Sequence, residues 1–163
     1  VVILNPANII GRYDRSGWGR LFRMLNEDNL PGIPPGDGSF CHAAEIARAH
    51  IRAAEVGRSG ESYILGGVNT SFVEVMSTIA ELLGKPTPKP VPAPVLRLLA
   101  QWNVLVARFT GVEPELTPDG AYSVTQHPSV ATDKAQRELG YRVVPLREIL
   151  EDTHRWMVEE GLV

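Results

Sequence analysis

Cys41 and His42 stand side by side, a thiol that could act as nucleophile next to an imidazole that could act as its base. Phe40-Cys41-His42 has the composition of a short strand, however, and neighbouring strand residues point to opposite faces, so the two cannot work as a dyad. His42, His50, His127 and His154 lack metal-ligand spacing, and no metal site is assigned. Gly66-Gly67, between a strand and a helix, superficially resembles a phosphate turn. It lacks a third glycine and any Lys-Ser/Thr, and reads better as a tight βα connection. Trp18, Arg20 and Phe22 cluster at a helix start, where they could line a substrate pocket or belong to the core. No nucleophile–base–acid set emerges, so no catalytic residue is assigned.

The stretch that must position any site is Val1-Val2-Ile3-Leu4-Asn5-Pro6-Ala7-Asn8-Ile9-Ile10-Gly11. Unalternated β-prone residues predict a strand buried on both faces, as in a parallel sheet. Pro6 cannot donate to a ladder and should end it. Pro6 to Asp14 would then lie at the strand's C-terminal end, where open α/β sheets bind ligands. The plainer alternative for Pro6 and Asn8 is a strand-ending turn with an Asx-type bond. A buried strand needs neighbours on both sides. Its place at the beginning of a chain without initiator Met leads to the expectation that they lie upstream, in the other half of a larger protein.

Bulk properties narrow the classes. The 163 residues are 44% hydrophobic and 21% charged, ordinary for a globular domain. A formal net charge of −3 with no block of like charges argues against nucleic acid as a partner. Cys41 alone permits no internal disulfide, which fits a reducing cytoplasm. The uncharged run from Leu98 to Ala107 is too short to span a bilayer, and Val1-Val2-Ile3-Leu4, without a basic region before it, does not read as a signal peptide, so no membrane role is expected.

Helices are predicted over Gly19–Glu27, Ala43–Val56 (stopped by Gly57), from a Ser71-Phe72-Val73-Glu74 capping box to Gly84, and over Val95–Phe109. The last carries a stripe of Leu96, Leu99, Trp102, Val106 and Phe109, most simply a packing face, with a substrate lid as the alternative. A short helix should end at Leu139-Gly140, and a final one should begin with Pro145 at its first position. Ser62–Leu65 reads as a second strand. Asn29 to Ser39 and Thr110 to Asp119 read as proline-marked loops, Lys85 to Pro94 as an extended segment, and Tyr122 to Val130 as β-prone but broken at His127-Pro128.

Four stretches, in this order, resemble the C-terminal half of the extended short-chain dehydrogenase/reductases, the epimerase/dehydratase group. Asn5-Pro6-Ala7-Asn8-Ile9-Ile10-Gly11 is similar to that group's Pro-x-Asn-x-x-Gly segment. Gly38 to Ala47 resembles its helix start, with Ala43-Ala44 where the group usually has Val-Asp. Gly60 to Gly67 resembles its last parallel strand, and Asp133-Lys134-Ala135 with Glu138-Leu139-Gly140-Tyr141 its motif before the terminal helix. Leu4-Asn5-Pro6 and Pro31 to Gly36 look most like the dihydroflavonol-reductase-like branch.

The resemblance implies an α/β fold: part of a Rossmann-type parallel sheet, its last strands and helices, with a smaller, mostly helical substrate-binding domain. Residues 1–84 would be the C-terminal part of the dinucleotide-binding domain, interleaved with substrate-domain segments, and 85–163 the substrate-binding domain. Pro6, Ala7, Asn8 and Ile9 would contact the nicotinamide of NADP or NAD in the full-length parent, and Trp18, Arg20 and Phe22 the substrate. The group's Gly-rich turn is missing, and none of Tyr13, Tyr63, Tyr122 or Tyr141 is followed four residues later by Lys. The expected function is therefore the substrate-binding half of an NAD(P)-dependent oxidoreductase acting on a carbonyl or hydroxyl of a small organic molecule, not competent alone. Its partners would be that small molecule, the missing N-terminal Rossmann half and, through exposed strand edges, further copies of itself. The rival is a non-catalytic binding or regulatory module, or the remnant of a truncated gene.

Overall fold

The computed structural model describes residues 1–111 and 116–163. In chain order the first elements are β1 (Ile3–Pro6), β2 (Asn8–Ile10), α1 (Trp18–Asn26), β3 (Asp37–His42), α2 (Ala43–Val56) and β4 (Ser62–Leu65). There follow β5 (Val68–Ser71), α3 (Phe72–Leu83), α4 (Ala93–Thr110), α5 (Pro118–Ser123), α6 (Asp133–Leu139) and α7 (Leu146–Glu159).

Strand β1 pairs in parallel with β4, Ile3 opposite Ser62 and Pro6 opposite Leu65. Parallel pairing was expected, but burial on both faces was not met: Ile3 is 52% exposed, and β4 is the one strand beside β1 among the described residues. Nor is Pro6 to Asp14 all loop. The Ala7 N–H donates to the Leu65 carbonyl at 3.1 Å, and the chain then enters β2, which pairs in parallel with β3. Strand β3 starts at Asp37, not at Phe40, because Asp37 to Phe40 find antiparallel partners in Ser71 to Val68 of β5. Strand β5 itself replaces the expected direct βα connection.

Gly67 makes that crossing possible. A Cβ there would lie 1.7 Å from the Phe40 carbonyl oxygen, so the chain passes against β3 where only hydrogen fits. Its N–H donates to the buried Ser39 Oγ at 2.9 Å.

The two faces of β3 feed two cores. Phe40 joins Phe22, Ile79, Ile149 and Trp156, between the sheet and α1, α3 and α7. Cys41 joins Ile46, Tyr63, Leu65, Leu139 and Tyr141, against α2 and α6. Helices on both faces of a small sheet with parallel pairs are the α/β arrangement expected. Both cores draw on α6 or α7, so the C-terminal helices pack back on the first half of the chain.

Local chemistry explains the boundaries. The Ser71 side chain caps α3, accepting from the Glu74 N–H at 3.1 Å, while the Glu74 carboxylate turns to the Thr70 hydroxyl. Gly84, at φ 64°, ends that helix in the left-handed region. Pro145 is the N-cap of α7, one position earlier than expected. Helix α6 is stapled to β4 by two charged residues of its motif, Lys134 and Glu138. Glu138 accepts from the Tyr63 hydroxyl (2.9 Å) and from Arg58 (2.7 Å). Lys134 donates to Glu61 (2.6 Å) and lies over the Tyr63 ring.

Between Gly84 and α4 the prolines hold an extended segment, and Ile33 bridges Pro90 through bonds to the Lys89 carbonyl and Val91 N–H. Helix α4 departs most from expectation. Ala100 is its one buried residue, while Trp102 and Phe109 are 62% and 84% exposed, so the stripe read as packing faces outward. Periodicity located a face without saying what covers it. The stretch Tyr122 to Val130 is not strand: it completes α5 and continues as a loop, because Pro118 starts a helix that Thr117 caps. Of the loop expected at Thr110 to Asp119, residues 112–115 lie outside the described ones; Thr110 belongs to α4, and Pro118 and Asp119 to α5.

Candidate functional site

The turn after β1 borders a cleft of about 470 Å³. Trp18 and Leu21 of α1 form one wall, with Leu30 beyond them, and Phe72 and Met76 of α3 form another. Pro34, Val124 and Pro128 close the rim, and the polar groups at the lining are Asn8, Asp37 and Ser123. Trp18 is fixed by an edge-on contact with Phe40 at 4.9 Å and stacking on Phe72 at 6.0 Å. Asn8 Nδ2 donates to the Ser39 carbonyl at 3.1 Å, which ties the turn to β3. Asp37 Oδ2 accepts from His127 Nδ1 at 2.8 Å; against a carboxylate, that nitrogen must carry the proton.

Of the residues singled out from sequence, Asn8 and Trp18 meet at this cleft. Pro6 is exposed at the end of β1, Ala7 holds the two sheets together, and Ile9 is partly exposed on β2. Arg20 lies on the exposed side of α1 and does not line the cleft. Phe22 is wholly buried in the first core, stacked beside His154, and does not line the cleft. The helical period explains this: Phe22 shares the inward face of α1 with Gly19 and Leu25. Sequence reasoning passed over Asp37, His127, Phe72 and Met76. Asp37 sat in a segment taken for loop, and nothing local reports that His127, 90 positions on, returns to it.

Cys41 and His42 diverge as their alternation requires. The Cys41 thiol donates to the Asn8 carbonyl (3.3 Å) inside the second core, where burial pushes it up to about 11. His42 turns the other way, Nε2 lying 3.2 Å from Asp152 of α7. Among the described residues no group of three or more His, Cys, Asp or Glu assembles to hold a metal ion, and no helix is long and apolar enough to cross a membrane.

No family model matches the chain. A protein of Synechocystis sp. that bears the name dihydroflavonol 4-reductase is 25% identical over 170 residues, spanning 100% of this chain and 50% of its own length. The crystal structure of a nucleoside-diphosphate-sugar epimerase from Pseudomonas aeruginosa matches with a TM-score of 0.81 at 28% identity, over 99% of this chain and 49% of that one. UDP-glucuronic acid 4-epimerase from Bacillus cereus, solved with UDP-glucuronic acid and NAD, gives a TM-score of 0.67 at 19% identity over 98% and 45%, a likeness of fold alone. The chain thus spans about half the length of the curated relatives it matches.

A dinucleotide needs a cradle for its diphosphate, and Gly66-Gly67 does not offer one. The Gly67 N–H is already given to Ser39 Oγ, and the space a cradle would need is filled by the Phe40 backbone. The described residues at Gly66-Gly67 thus do not fit the diphosphate of such a cofactor. The order of the elements, helices on both faces of two small sheets that contain parallel pairs, and relatives matched over half their length together show the fold of the C-terminal half of an extended short-chain dehydrogenase/reductase.

Proposed function

We propose that the chain is the substrate-binding half of an NAD(P)-dependent oxidoreductase acting on a carbonyl or hydroxyl of a small organic molecule. The observation that carries this reading is the apolar cleft that Asn8 and Trp18 share beside the turn after β1. In this reading Pro6, Ala7, Asn8 and Ile9 approach the nicotinamide of NADP or NAD, and Trp18 receives the substrate. Residues 1–84 complete the dinucleotide-binding domain and 85–163 form the substrate-binding domain. The open side of β1 takes a strand of the N-terminal Rossmann half, and without that half the same edge promotes self-association. A buried, unpaired thiol suits the cytoplasm.

Lacking a diphosphate cradle and a Tyr-x-x-x-Lys pair, the chain alone should not transfer hydride. Fluorescence titration of NADPH into this chain, and into the same chain extended upstream in its reading frame, tests the proposal. Binding by the longer protein alone is the expected result. Micromolar binding by this chain would overturn it, and binding by neither would favour a non-catalytic binding module.

A further inference from the structure

We propose that the outer face of α4 docks the chain on the surface of an anionic bilayer, the helix lying in the plane of the headgroups without crossing them. This goes beyond the functional reading and does not rest on it. Helix α4 packs on α5, and its buried or half-buried positions include Leu96, Ala100, Val104 and Ala107. On the other side Val95, Leu98, Trp102, Leu105 and Phe109 recur at three and four residues, with Leu99 and Val106 beside them, and all seven are exposed. At about 100° per residue they fall within an arc of about 120°. So broad an apolar face suits a plane, whereas a two-helix seam needs only a narrower stripe. A contiguous apolar patch of this kind marks an interaction surface.

The charges around the stripe select its occupant. No Asp or Glu lies between Glu81 and Glu113, a stretch that holds Lys85, Lys89, Arg97 and Arg108, whereas the whole chain carries a net charge of −3. Lys85 is taken by Asp28 at 2.9 Å, but Lys89, Arg97 and Arg108 have no carboxylate partner among the described residues. Arg97 and Arg108 are about three helical turns apart, so both stand on the same flank of the stripe. The exposed Tyr122 of α5 borders that flank, sharing a small pocket with Arg97 and Gln101. From there the guanidinium groups reach lipid phosphates while Leu98, Trp102 and Phe109 enter the acyl boundary. The anionic cytoplasmic leaflet attracts such cations. A second copy would instead bring the same cations to the seam and no acid to meet them. No described helix is long and apolar enough to cross a membrane, but lying on one needs no such run.

The chain, and the same chain extended upstream in its reading frame, are each mixed with phosphatidylcholine vesicles with and without phosphatidylglycerol, and binding is read by sedimentation. Both proteins are expected to bind the anionic vesicles at least tenfold more tightly than the neutral ones, a preference that high salt removes. Tryptophan emission should shift to the blue on binding, and Trp102→Phe should abolish the shift. Trp102→Ser combined with Phe109→Ser should weaken binding at least tenfold. Arg97→Gln and Arg108→Gln should each weaken binding to anionic vesicles about fivefold and leave neutral vesicles unaffected, a pattern that misfolding does not produce. Equal affinity for the two vesicles, no binding to the anionic ones, or binding that survives the loss of Trp102 and Phe109 would each overturn the proposal. Binding by this chain and not by the longer protein would overturn it too, assigning the face to the upstream half. Dimerisation lost on the same double substitution, without vesicle binding, would assign it to a second copy. Micromolar NADPH binding by this chain would overturn the functional reading and leave the vesicle preference intact.

Discussion

Replacing Gly67 by alanine distinguishes a packed crossing from a ligand cradle. A Cβ at that position lies 1.7 Å from the Phe40 oxygen, 2.3 Å from the Phe40 carbonyl carbon and 2.7 Å from the Cys41 nitrogen, all backbone atoms of β3. No rotamer change relieves such contacts, so β3 and the chain crossing it must separate by well over an ångström. That movement also takes the Gly67 N–H away from Ser39 Oγ, leaving a buried donor unpaired. Overpacking of this kind costs about 3 kcal/mol or more, and the gain of about 1 kcal/mol that alanine brings by stiffening the unfolded chain does not offset it. Ser39→Ala isolates the hydrogen bond, and a loss of about 2 kcal/mol, a fall in Tm of about 4–8 °C, is expected. Urea unfolding followed by circular dichroism reads both, with Gly67→Ala the more damaging. If Gly67→Ala unfolds within about 0.5 kcal/mol of the parent chain, the packing account fails. Were it also to weaken anion binding, the turn would be a phosphate cradle after all.

The other expectations follow from burial and charge. With its thiol held near 11, Cys41 should react with iodoacetamide about 100-fold more slowly than an exposed cysteine at pH 8, and at the ordinary rate in denaturant; rapid alkylation of the folded chain would contradict its place in the core. Trp102→Ser and Phe109→Ser on α4 should each change stability by less than about 0.5 kcal/mol, whereas Phe22→Ala should cost about 3–5 kcal/mol. Equal losses in urea unfolding would mean that the α4 stripe is core. The Tyr63 hydrogen bond and then Arg58 hold Glu138 below the usual carboxylate range, and Lys134 does the same for Glu61. A depressed carboxylate stabilises the fold above its unfolded value of 4.5 and loses that contribution as pH falls through the lower folded value. Glu138→Gln should therefore flatten the pH dependence of stability below about pH 4.5, and an unchanged acid slope would refute the staple.

What the sequence made legible was whatever its own neighbourhood determines. Helix α2 runs from Ala43 to Val56 as expected, α3 begins at its Ser71 cap and ends at Gly84, and α6 ends at Leu139 before Gly140. The short strands were different. Asn8, Gly38, Ser39 and Asn69 are poor strand formers, and they are extended because β3 pairs with β2 and β5 across 28 or more positions. Of the site, the turn residue Asn8 and the aromatic Trp18 could be found locally. Phe22 could not be separated from them, since a helix-start cluster does not show which side faces the protein. Asp37 and His127 become neighbours only through the tertiary fold.

Ile33 exchanges backbone bonds with Lys89 and Val91, just before α4, while the N–H groups of Gly36 and Asp37 donate to Val124 and Gln126, just after α5. The entry and exit of the helical arm are thus fastened to one short splint, residues 33–37, and Gly36 lets the returning chain lie close, since a Cβ there would sit 2.4 Å from the Val124 oxygen. Opposite stands a fixed wall, Phe72 and Met76, rooted in the first core. The splint therefore works as a gauge for the gap between them. Lengthening it by one residue would shift Pro34, Val124 and the arm together, whereas a side-chain change at any one of them alters a single point. Divergence in what such a cleft admits can proceed by loop length, in steps, without disturbing either core.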